Sequence, residues 1–460
     1  MAEDEYDLVV VGGGIAGYTA AIYATRKGLR TLLVEQDQLG GVCLHRGCIP
    51  TKSLLEGAYS FLRAQTWSAT LSSQEVWRRL HQRKAEVVAQ GYDSLVRLLR
   101  RHRIQVEKGR GSLVAPGRVA IPDLGKVVET RWTILATGSS PIPLKGLPWD
   151  GSRILSSDHL LELDELPQHL IVVGGGVVGV EFASLLLDLG VQVTIVEIMP
   201  RLMSQEDREI SQALEKALSS RGASVLTGAR PIPEASHMSR DGVELAVARE
   251  EGPCRIRGTH VLVAVGRTGN VQGLGLEDVG VAVKGGFIQV GGNLRTTQEV
   301  IYAIGDVAGG PLLAHKAAQE GRLAVEDLCG GSPCPLDRTL VPRVAYCRPQ
   351  VAAVGLTEEE ATALGFKVRA RRFSFRYNSM AHIVGETEGF VKVVYDQETG
   401  RLLGVHALGH HVEELIGEAA LALKAGVSLR EWADVLHPHP SIVEALGEAV
   451  RMGAGTSIYL

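Results

Sequence analysis

The chain has 460 residues, of which 45% are hydrophobic and 22% charged, and its formal net charge is −4 at pH 7. This is the composition of a globular protein with several domains, and the small net charge gives no reason to expect binding to nucleic acid or to a membrane. The acidic start, MAEDEYD, lacks the basic and apolar segments of a signal peptide, and no long apolar run is present. We therefore predict a cytoplasmic protein whose cysteines are kept reduced unless they serve catalysis.

The beginning of the sequence contains a unit that is typical of dinucleotide binding. Residues 7–17 read DLVVVGGGIAG, residues 18–27 have a helical pattern, and a second apolar run, TLLVE, ends at Glu35. In such a unit Gly12 makes the turn, Gly14 lets a pyrophosphate approach the backbone, and Gly17 lets the helix pack against the strand. Glu35 has the spacing of the acid that binds a ribose hydroxyl. The unit predicts a nucleotide site, and the alternative is a tight turn without a ligand.

Two cysteines follow in the stretch GGVCLHRGCIPTK, residues 40–52. On a regular helix, Cα atoms five residues apart would be roughly 8–9 Å from each other, whereas a disulfide needs about 4.4–6.8 Å. Cys43 and Cys48 can therefore form a disulfide only across an irregular turn, which Gly47 permits. A redox pair, a structural role and a metal site remain open, although His45 is the one further metal ligand nearby.

The stretch beyond the cysteines is rich in arginine. Residues 77–88 read WRRLHQRKAEVV. A solvated helix face is the simpler interpretation, and docking to an acidic partner is the alternative.

The dinucleotide pattern recurs in the middle of the chain. Residues 170–180 read LIVVGGGVVGV, with Gly174, Gly176 and Gly179 in the same three roles, and the next strand ends at Glu197. A carboxylate at this position accepts the 2′-hydroxyl of NAD and repels the 2′-phosphate of NADP. The second unit therefore predicts NAD, although Arg201 follows four residues later. The alternative is that Glu197 is an ordinary loop acid.

Three further apolar strands end in glycine turns. They are TILATGS (133–139), VLVAVGR (261–267) and VIYAIGDVAG (300–309). Asp306 in the last of them could hold a ribityl or ribose hydroxyl, or could be an ordinary turn aspartate.

The combination of GGVCLHRGCIPTK with two glycine-loop units, ATGS, AVGR and YAIGD resembles the flavoprotein disulfide oxidoreductases that bind two dinucleotides. LLAHKAAQEG (312–321), VEELIGEA (412–419) and HPHPSIVEA (437–445) resemble the branch that oxidises dihydrolipoyl groups with NAD. The resemblance implies an α/β fold with two Rossmann-like domains and a C-terminal α+β dimerisation domain. It implies an FAD domain at 1–148, an NAD domain at 149–270, a segment returning to the FAD domain at 271–337, and an interface domain at 338–460.

The resemblance also implies the roles of individual residues. Cys43 exchanges with the substrate, Cys48 contacts the flavin, and Lys52 lies near the flavin in a pair with Glu181. His439 is the base, oriented by Glu444, and acts on the disulfide of the other subunit of a homodimer. Further implied FAD contacts are Gly111, Thr137, Gly138, Ser139, Asp306, Leu312, Leu313, Ala314 and His315, and further implied NAD contacts are Glu181 and Gly266.

The implied function is NAD-dependent oxidation of dihydrolipoyl groups within a 2-oxoacid dehydrogenase or glycine-cleavage complex. The expected partners are a lipoyl domain and the peripheral-subunit-binding region of an acyltransferase. One alternative is another disulfide or metal-ion reductase of the family, and a second is a flavin-binding assembly subunit without turnover. The sequence departs from the family at His45 and Arg46, where a neutral pair is usual. Cys329 and Cys334, in a Gly/Pro loop, could pair or remain free.

Overall fold

The computed structural model describes residues 5–65, 71–239 and 241–459. The chain divides into two compact units, each assembled from three segments. The first unit comprises Met1–Leu54, Arg78–Ile142 and Gly266–Arg338, and the second comprises Leu55–Trp77, Pro143–Val265 and Thr339–Leu460. None of the described helices is long and apolar enough to cross a membrane.

The helices, in chain order, are α1 (Ile15–Arg26), α2 (Gly41–His45), α3 (Cys48–Gln65), α4 (Ser73–Arg101), α5 (Ser157–Leu161), α6 (Val177–Asp188), α7 (Arg208–Ser220), α8 (Ala314–Leu328), α9 (Glu358–Ala363), α10 (Ser379–Val384), α11 (Val412–Ala425), α12 (Leu429–Ala433) and α13 (Glu444–Ala454).

The strands, in chain order, are β1 (Glu5–Val11), β2 (Thr31–Glu35), β3 (Gln105–Lys108), β4 (Ser112–Ala115), β5 (Arg118–Ile121), β6 (Lys126–Leu135), β7 (Ser139–Pro141), β8 (Ile154–Leu155), β9 (His169–Val173), β10 (Gln192–Val196), β11 (Ser224–Leu226), β12 (Arg230–Pro231), β13 (His237–Ser239), β14 (Gly242–Ala248), β15 (Cys254–Gly258), β16 (His260–Val263), β17 (Arg267–Gly269), β18 (Val283–Lys284), β19 (Phe287–Ile288), β20 (Ile301–Ala303), β21 (Arg343–Ala345), β22 (Gln350–Gly355), β23 (Val368–Ser374), β24 (Phe390–Asp396) and β25 (Leu402–Gly409).

The first unit is built on a sheet of order β3-β2-β1-β6-β5-β4, with β20 paired to β6. The pairs β1–β2, β1–β6, β2–β3 and β6–β20 are parallel. Leu8, Val9 and Val10 are fully buried, as expected for a parallel strand that is covered on both faces. The carboxyl ends of these parallel strands share one edge, where ligands of such sheets bind.

The second unit contains a parallel sheet of order β11-β10-β9-β16-β8 and a smaller antiparallel sheet formed by β12 to β15. Its last segment forms an antiparallel sheet of order β21-β22-β25-β24-β23, against which α11 and α13 pack. The predicted fold class, two Rossmann-like sheets followed by an α+β domain, is confirmed.

Candidate active site

The first glycine loop connects β1 to α1, and its geometry explains two of its three glycines. Gly12 has φ +106°, and a Cβ there would lie 2.4 Å from the Ala136 carbonyl oxygen. A Cβ on Gly17 would lie 1.8 Å from the carbonyl oxygen of Gly12. Side chains at these two positions would therefore collide with the backbone, so the fold requires glycine at both.

Gly14 has a different environment, which fits a phosphate ligand. The nearest atom to a Cβ on Gly14 would be the Cα of Gly41, at 4.0 Å. Gly14 is the N-cap of α1, and no side chain caps the helix there. An uncapped helix N-terminus beside open space presents backbone N–H groups and the positive end of the helix dipole, which suits the pyrophosphate of FAD. Glu35 lies at the same loop, where its Oε2 accepts the Gly13 N–H at 2.6 Å.

The second glycine loop, between β9 and α6, repeats this arrangement. A Cβ on Gly174 would lie 2.3 Å from the Ala264 carbonyl oxygen, and a Cβ on Gly179 would lie 1.9 Å from the Gly174 carbonyl oxygen. A Cβ on Gly176 would meet nothing within 4 Å. Gly176 is the N-cap of α6 and is likewise without a side-chain cap. Glu197 Oε2 accepts the Gly175 N–H at 2.5 Å. The second loop therefore offers the same fit to a dinucleotide as the first.

Arg201, which could have favoured NADP, is bound by an acid in the second unit. Its guanidinium contacts both carboxylate oxygens of Glu359, at 3.2 and 2.6 Å, and donates to the Ser204 carbonyl at 3.1 Å. These contacts neutralise the positive charge beside the second loop. They therefore support the preference for NAD that Glu197 predicts.

The cysteine segment is joined to the first glycine loop through the backbone. The Gly40 N–H donates to the Gly13 carbonyl at 2.8 Å. A Cβ on Gly41 would lie 2.9 Å from the Cα of Gly14, so α2 begins in direct contact with the proposed phosphate site. This contact holds the cysteine segment next to the position where the first dinucleotide would bind.

The helix is interrupted between the two cysteines, and a disulfide between them would need such an irregular turn. Helix α2 ends at His45, and α3 begins at Cys48. The structure has both cysteines as thiols, and they are hydrogen bonded to each other. This hydrogen bond and burial raise the pKa of the Cys43 thiol well above its ordinary value, and the positive charge of Lys52 opposes the rise. When the pair is reduced, the Cys43 thiol therefore needs a base to become a nucleophilic thiolate.

His45 and Arg46 do not bring free positive charge between the two sulfurs. His45 Nε2 lies 2.8 Å from the Leu39 carbonyl oxygen, and its ring packs edge-on against Tyr92 of α4. Arg46 forms an ion pair with Asp37 at 2.9 Å. Both side chains thus tie α2 to the chain that leads into it.

Asp306 lies in a hydrogen-bonded cluster with residues of the ATGS turn. Its Oδ2 accepts the hydroxyl hydrogen of Ser139 at 2.6 Å. Arg267 donates to the Ser139 hydroxyl and carbonyl oxygens at 2.8 and 2.6 Å. Thr137 donates to the Asn270 carbonyl at 2.8 Å, and the Asn270 side chain donates to the Thr137 carbonyl at the same distance. The sequence predicts roles for Thr137, Ser139 and Asp306 but not for Arg267 or Asn270.

A buried ion pair holds the turn that carries Asp306. Lys316 and Glu320, one helical turn apart on α8, are 3.0 Å apart and almost fully buried. Lys316 donates to the carbonyls of Gly305 and Gly309 at 3.2 and 2.7 Å, and Glu320 accepts the Gly305 N–H at 2.8 Å. The predicted FAD residues Leu312, Leu313, Ala314 and His315 lie at the start of this helix, whose N-cap, Leu313, has no side-chain cap.

The remaining predicted cofactor residues occupy separate positions. A Cβ on Gly111 would lie 2.9 Å from a methyl of Val11, so this glycine packs against β1. The Gly266 carbonyl accepts the Ile142 N–H at 2.9 Å. Glu181 is buried and accepts the Tyr346 N–H at 2.9 Å, and its pairing with Lys52 stays a prediction.

The predicted base lies just before α13 in the second unit. His439 is 69% exposed, and its Nδ1 is 2.9 Å from a carboxylate oxygen of Glu444. The second carboxylate oxygen of Glu444 accepts the Ser441 N–H at 2.8 Å. Since the Nδ1–H donates to Glu444, Nε2 is the nitrogen that can take a proton from a substrate.

Two dinucleotide loops, one of them joined to a dithiol, are the features of an oxidoreductase that moves electrons between thiols and a nicotinamide. Residues 6–321 match the family model described as pyridine nucleotide-disulphide oxidoreductase, and residues 341–450 match the dimerisation domain of the same family. The chain belongs to the pyridine nucleotide-disulphide oxidoreductase family. It is an FAD-dependent oxidoreductase, and FAD and NAD(H) are the cofactors that its family uses.

Relatives and solved structures match nearly the whole chain. A dihydrolipoyl dehydrogenase of Bacillus subtilis is 40% identical over 99% of both chains, and one of Chlorobaculum tepidum is 41% identical over 97% of this chain and 96% of its own. The structure of LpdA from Mycobacterium tuberculosis has a TM-score of 0.87 and 31% identity, covering 97% of this chain and 99% of that one. The HOCl-induced flavoprotein disulfide reductase RclA from Escherichia coli has a TM-score of 0.86 and 28% identity, covering 97% of this chain and all of that one.

Proposed function

We propose that this protein oxidises dihydrolipoyl groups to lipoyl groups through Cys43 and Cys48 and passes the electrons to NAD+. The observation that carries the proposal is the backbone contact between the first glycine loop and the segment that holds the two thiols. The full-length similarity to proteins named dihydrolipoyl dehydrogenase supports the choice of substrate. When bound, FAD supplies the acceptor for the electron pair of the dithiol, and NAD+ supplies the final hydride acceptor.

The sulfur chemistry follows from thiol–disulfide exchange. A substrate thiolate attacks Cys43 of the oxidised pair, so the Cys43–Cys48 bond breaks and a mixed disulfide forms while Cys48 leaves as a thiolate. The second substrate thiol loses its proton to Nε2 of His439 and attacks the mixed disulfide. The lipoyl disulfide leaves, and Cys43 takes back the proton that His439 had accepted. The pair then holds the Cys43 thiol and the Cys48 thiolate, and the substrate has lost two electrons. Glu444 keeps the His439 ring in the required tautomer.

We further propose a homodimer in which His439 serves the cysteines of the partner subunit. The match of residues 341–450 to a dimerisation domain supports the homodimer. A lipoyl domain and the peripheral-subunit-binding region of an acyltransferase core are the proposed partners, within a 2-oxoacid dehydrogenase or glycine-cleavage complex. A cytoplasmic location belongs to the same proposal, because the cycle needs thiols that are not trapped as disulfides.

The direct test is a steady-state assay of the FAD-loaded protein with dihydrolipoamide and NAD+. We expect NADH formation, and a much lower rate with NADP+. NADPH-dependent reduction of another disulfide or of Cu(II), without NADH formation from dihydrolipoamide, would favour a different reductase of the family. Absence of turnover with every donor, with FAD bound, would favour a non-catalytic assembly subunit.

A further inference from the structure

A second histidine, His437, lies two residues before His439, and the proposed cycle gives it no task. Its side chain is only 5% exposed, whereas that of His439 is 69% exposed. Its Nε2 lies 3.1 and 3.2 Å from the two carboxylate oxygens of Glu418 on α11. Because a carboxylate only accepts hydrogen bonds, Nε2 carries the hydrogen and donates it.

Glu418 is itself fixed in position. Its Oε1 also accepts the indole N–H of Trp432 at 2.6 Å, and Trp432 is buried on α12. Burial raises the pKa of Glu418, but the hydrogen bonds from His437 and Trp432 outweigh it and lower that pKa below its ordinary value. An ionised carboxylate with two donors forms stronger hydrogen bonds than a neutral pair, so it is a firm attachment point for His437.

The other edge of the His437 ring rests on α13, the helix that begins with Glu444. A Cβ on Gly447 would lie 2.6 Å from His437 Nδ1 and 2.8 Å from its Cε1. The ring can reach the helix backbone only because residue 447 is a glycine. Gly447 is one helical turn beyond Glu444, so His437 sets the start of the His439 segment against the helix that orients His439.

The segment between these contacts is irregular, so side chains must fix its course. Residues 437–441, HPHPS, form no helix or strand, and two of them are prolines without a backbone N–H. The Ser441 carbonyl accepts a hydrogen bond from the buried Asn378 side chain at 2.9 Å, which fixes the far end. His437 fixes the near end, and the exposed ring of His439 lies between the two.

We propose that His437, held by Glu418 and Trp432, is a positioning residue that places His439 for proton transfer. The proposal rests on the proposed function, in which His439 is the base. Misplacement of a reacting group by about 1 Å can lower a rate about a hundredfold, even when the change lies away from the reacting atoms. Loss of the His437 contact is therefore expected to lower the sulfur half-reaction without affecting the nucleotide sites.

The test compares three variants of the FAD-loaded protein. His437→Leu keeps a side chain of similar volume but removes the hydrogen-bond donor to Glu418, and His437→Gln restores an N–H near the position of Nε2. His169→Leu is the matched control, because it also removes a histidine ring with a polar partner, the Thr194 hydroxyl at 2.9 Å from Nε2. His169 begins β9 and so lies at the end of that strand away from the second glycine loop. For each variant, reduction of the flavin by dihydrolipoamide is measured against pH, as is the oxidation of NADH by ferricyanide.

We expect His437→Leu to slow flavin reduction by about ten- to a hundredfold, with a changed pH profile, while the ferricyanide rate stays within about twofold. His437→Gln should recover most of the rate, and His169→Leu should match the unaltered protein. An unchanged rate and pH profile in His437→Leu would refute the positioning role.

The role is also read without any substrate. In holoenzyme labelled with 13C at histidine Cε1, the His439 signal is assigned by its loss in His439→Gln, and its position is recorded by NMR at a fixed pH. His437→Leu should move the His439 signal in the same direction as Glu444→Gln does, because both changes weaken the Glu444 contact. An unchanged signal would overturn the inference, whereas failure of the unaltered protein to oxidise dihydrolipoamide would overturn only the proposed function.

Discussion

Burial and the immediate neighbours of Cys43 determine its pKa. The hydrogen bond with Cys48 and burial raise its pKa, while the Cys48 backbone N–H and Lys52 lower it. Removal of the Cys48 sulfur therefore leaves the lowering contacts in place and removes the first cause of the rise.

This balance predicts the behaviour of Cys48→Ala. The pKa of Cys43 should fall, so iodoacetamide should alkylate Cys43 faster at neutral pH than in the reduced unaltered protein. Turnover with dihydrolipoamide and NAD+ should fall at least about a thousandfold, because the dithiol can no longer form. Peptide mass spectrometry at several pH values measures the alkylation of Cys43, and Cys254→Ala is the control. A Cys43 pKa that is unchanged or higher in Cys48→Ala would contradict this account.

The base and its carboxylate give a second prediction at this scale. His439→Gln should lower dihydrolipoamide oxidation by about 10²–10⁴-fold, and Glu444→Gln by less, because general acid–base catalysis contributes that range. Both variants should keep the NADH–ferricyanide rate, which does not need the base. Steady-state rates with the two substrate pairs measure the difference, and an equal loss in both assays would point to a damaged fold instead.

At the scale of elements, the glycines of the second loop separate ligand binding from folding. Gly176→Ala places a methyl in open space at the start of α6, so the fold should tolerate it while the pyrophosphate is obstructed. Gly179→Ala places a methyl 1.9 Å from the Gly174 oxygen, so the contact between β9 and α6 must open.

The two variants should therefore fail in different assays. We expect Gly176→Ala to raise the KM for NAD+ at least about tenfold, because the added methyl obstructs the pyrophosphate. Its melting temperature should stay within about 2 °C of that of the unaltered protein, because the methyl meets no protein atom. Gly179→Ala should lower the melting temperature by several degrees, since a backbone clash costs about 1–3 kcal/mol. A normal KM for NAD+ in Gly176→Ala would show that this loop does not bind the pyrophosphate.

The elements also show how much of the site could be predicted from sequence. The glycine loops and Glu35 and Glu197 follow from local spacing, because one strand–turn–helix unit fixes all of their positions. The attachment of His45 to the Leu39 carbonyl could not be predicted, since a backbone acceptor leaves no mark in a residue pattern.

The buried pair on α8 was missed for a different reason. Lys316 and Glu320, four residues apart on a helix, have the usual pattern of a solvated ion pair. Only the packing of the Gly305–Gly309 turn onto α8 makes the pair buried and gives it backbone partners. Tertiary contacts of this kind also explain why Arg267 and Asn270 were not found.

At the scale of the whole molecule, buried histidines predict how stability depends on pH. Burial lowers the pKa of His406 below its ordinary value of 6.5, although the Asp207 carboxylate opposes the shift. His406 is fully buried, with Leu356 O as its Nε2 partner, and Asp207, Glu206 and Arg343 are the charged groups that act on it. Burial also lowers the pKa of His169, His260 and His410.

The sign of the effect follows from proton binding. Below pH 6.5 the unfolded chain takes up protons at these histidines while the folded chain does not. The free energy of unfolding therefore decreases as the pH is lowered. Each such group contributes up to about 1.4 kcal/mol per pH unit until the lowered pKa is reached. Denaturant unfolding between pH 5 and pH 7.5 measures the slope, and His406→Asn should make it shallower. A stability that does not change over this range would contradict the burial of neutral histidines.

We propose that Cys48 is the sulfur through which the electrons of the substrate pass to FAD. The most direct test is the absorption spectrum of the FAD-loaded protein during anaerobic addition of one equivalent of dihydrolipoamide. We predict a long-wavelength band from the Cys48 thiolate against the oxidised flavin, which NAD+ discharges with formation of NADH and which Cys48→Ser lacks. Direct bleaching of the flavin without such a band, or an identical band in Cys48→Ser, would contradict the account.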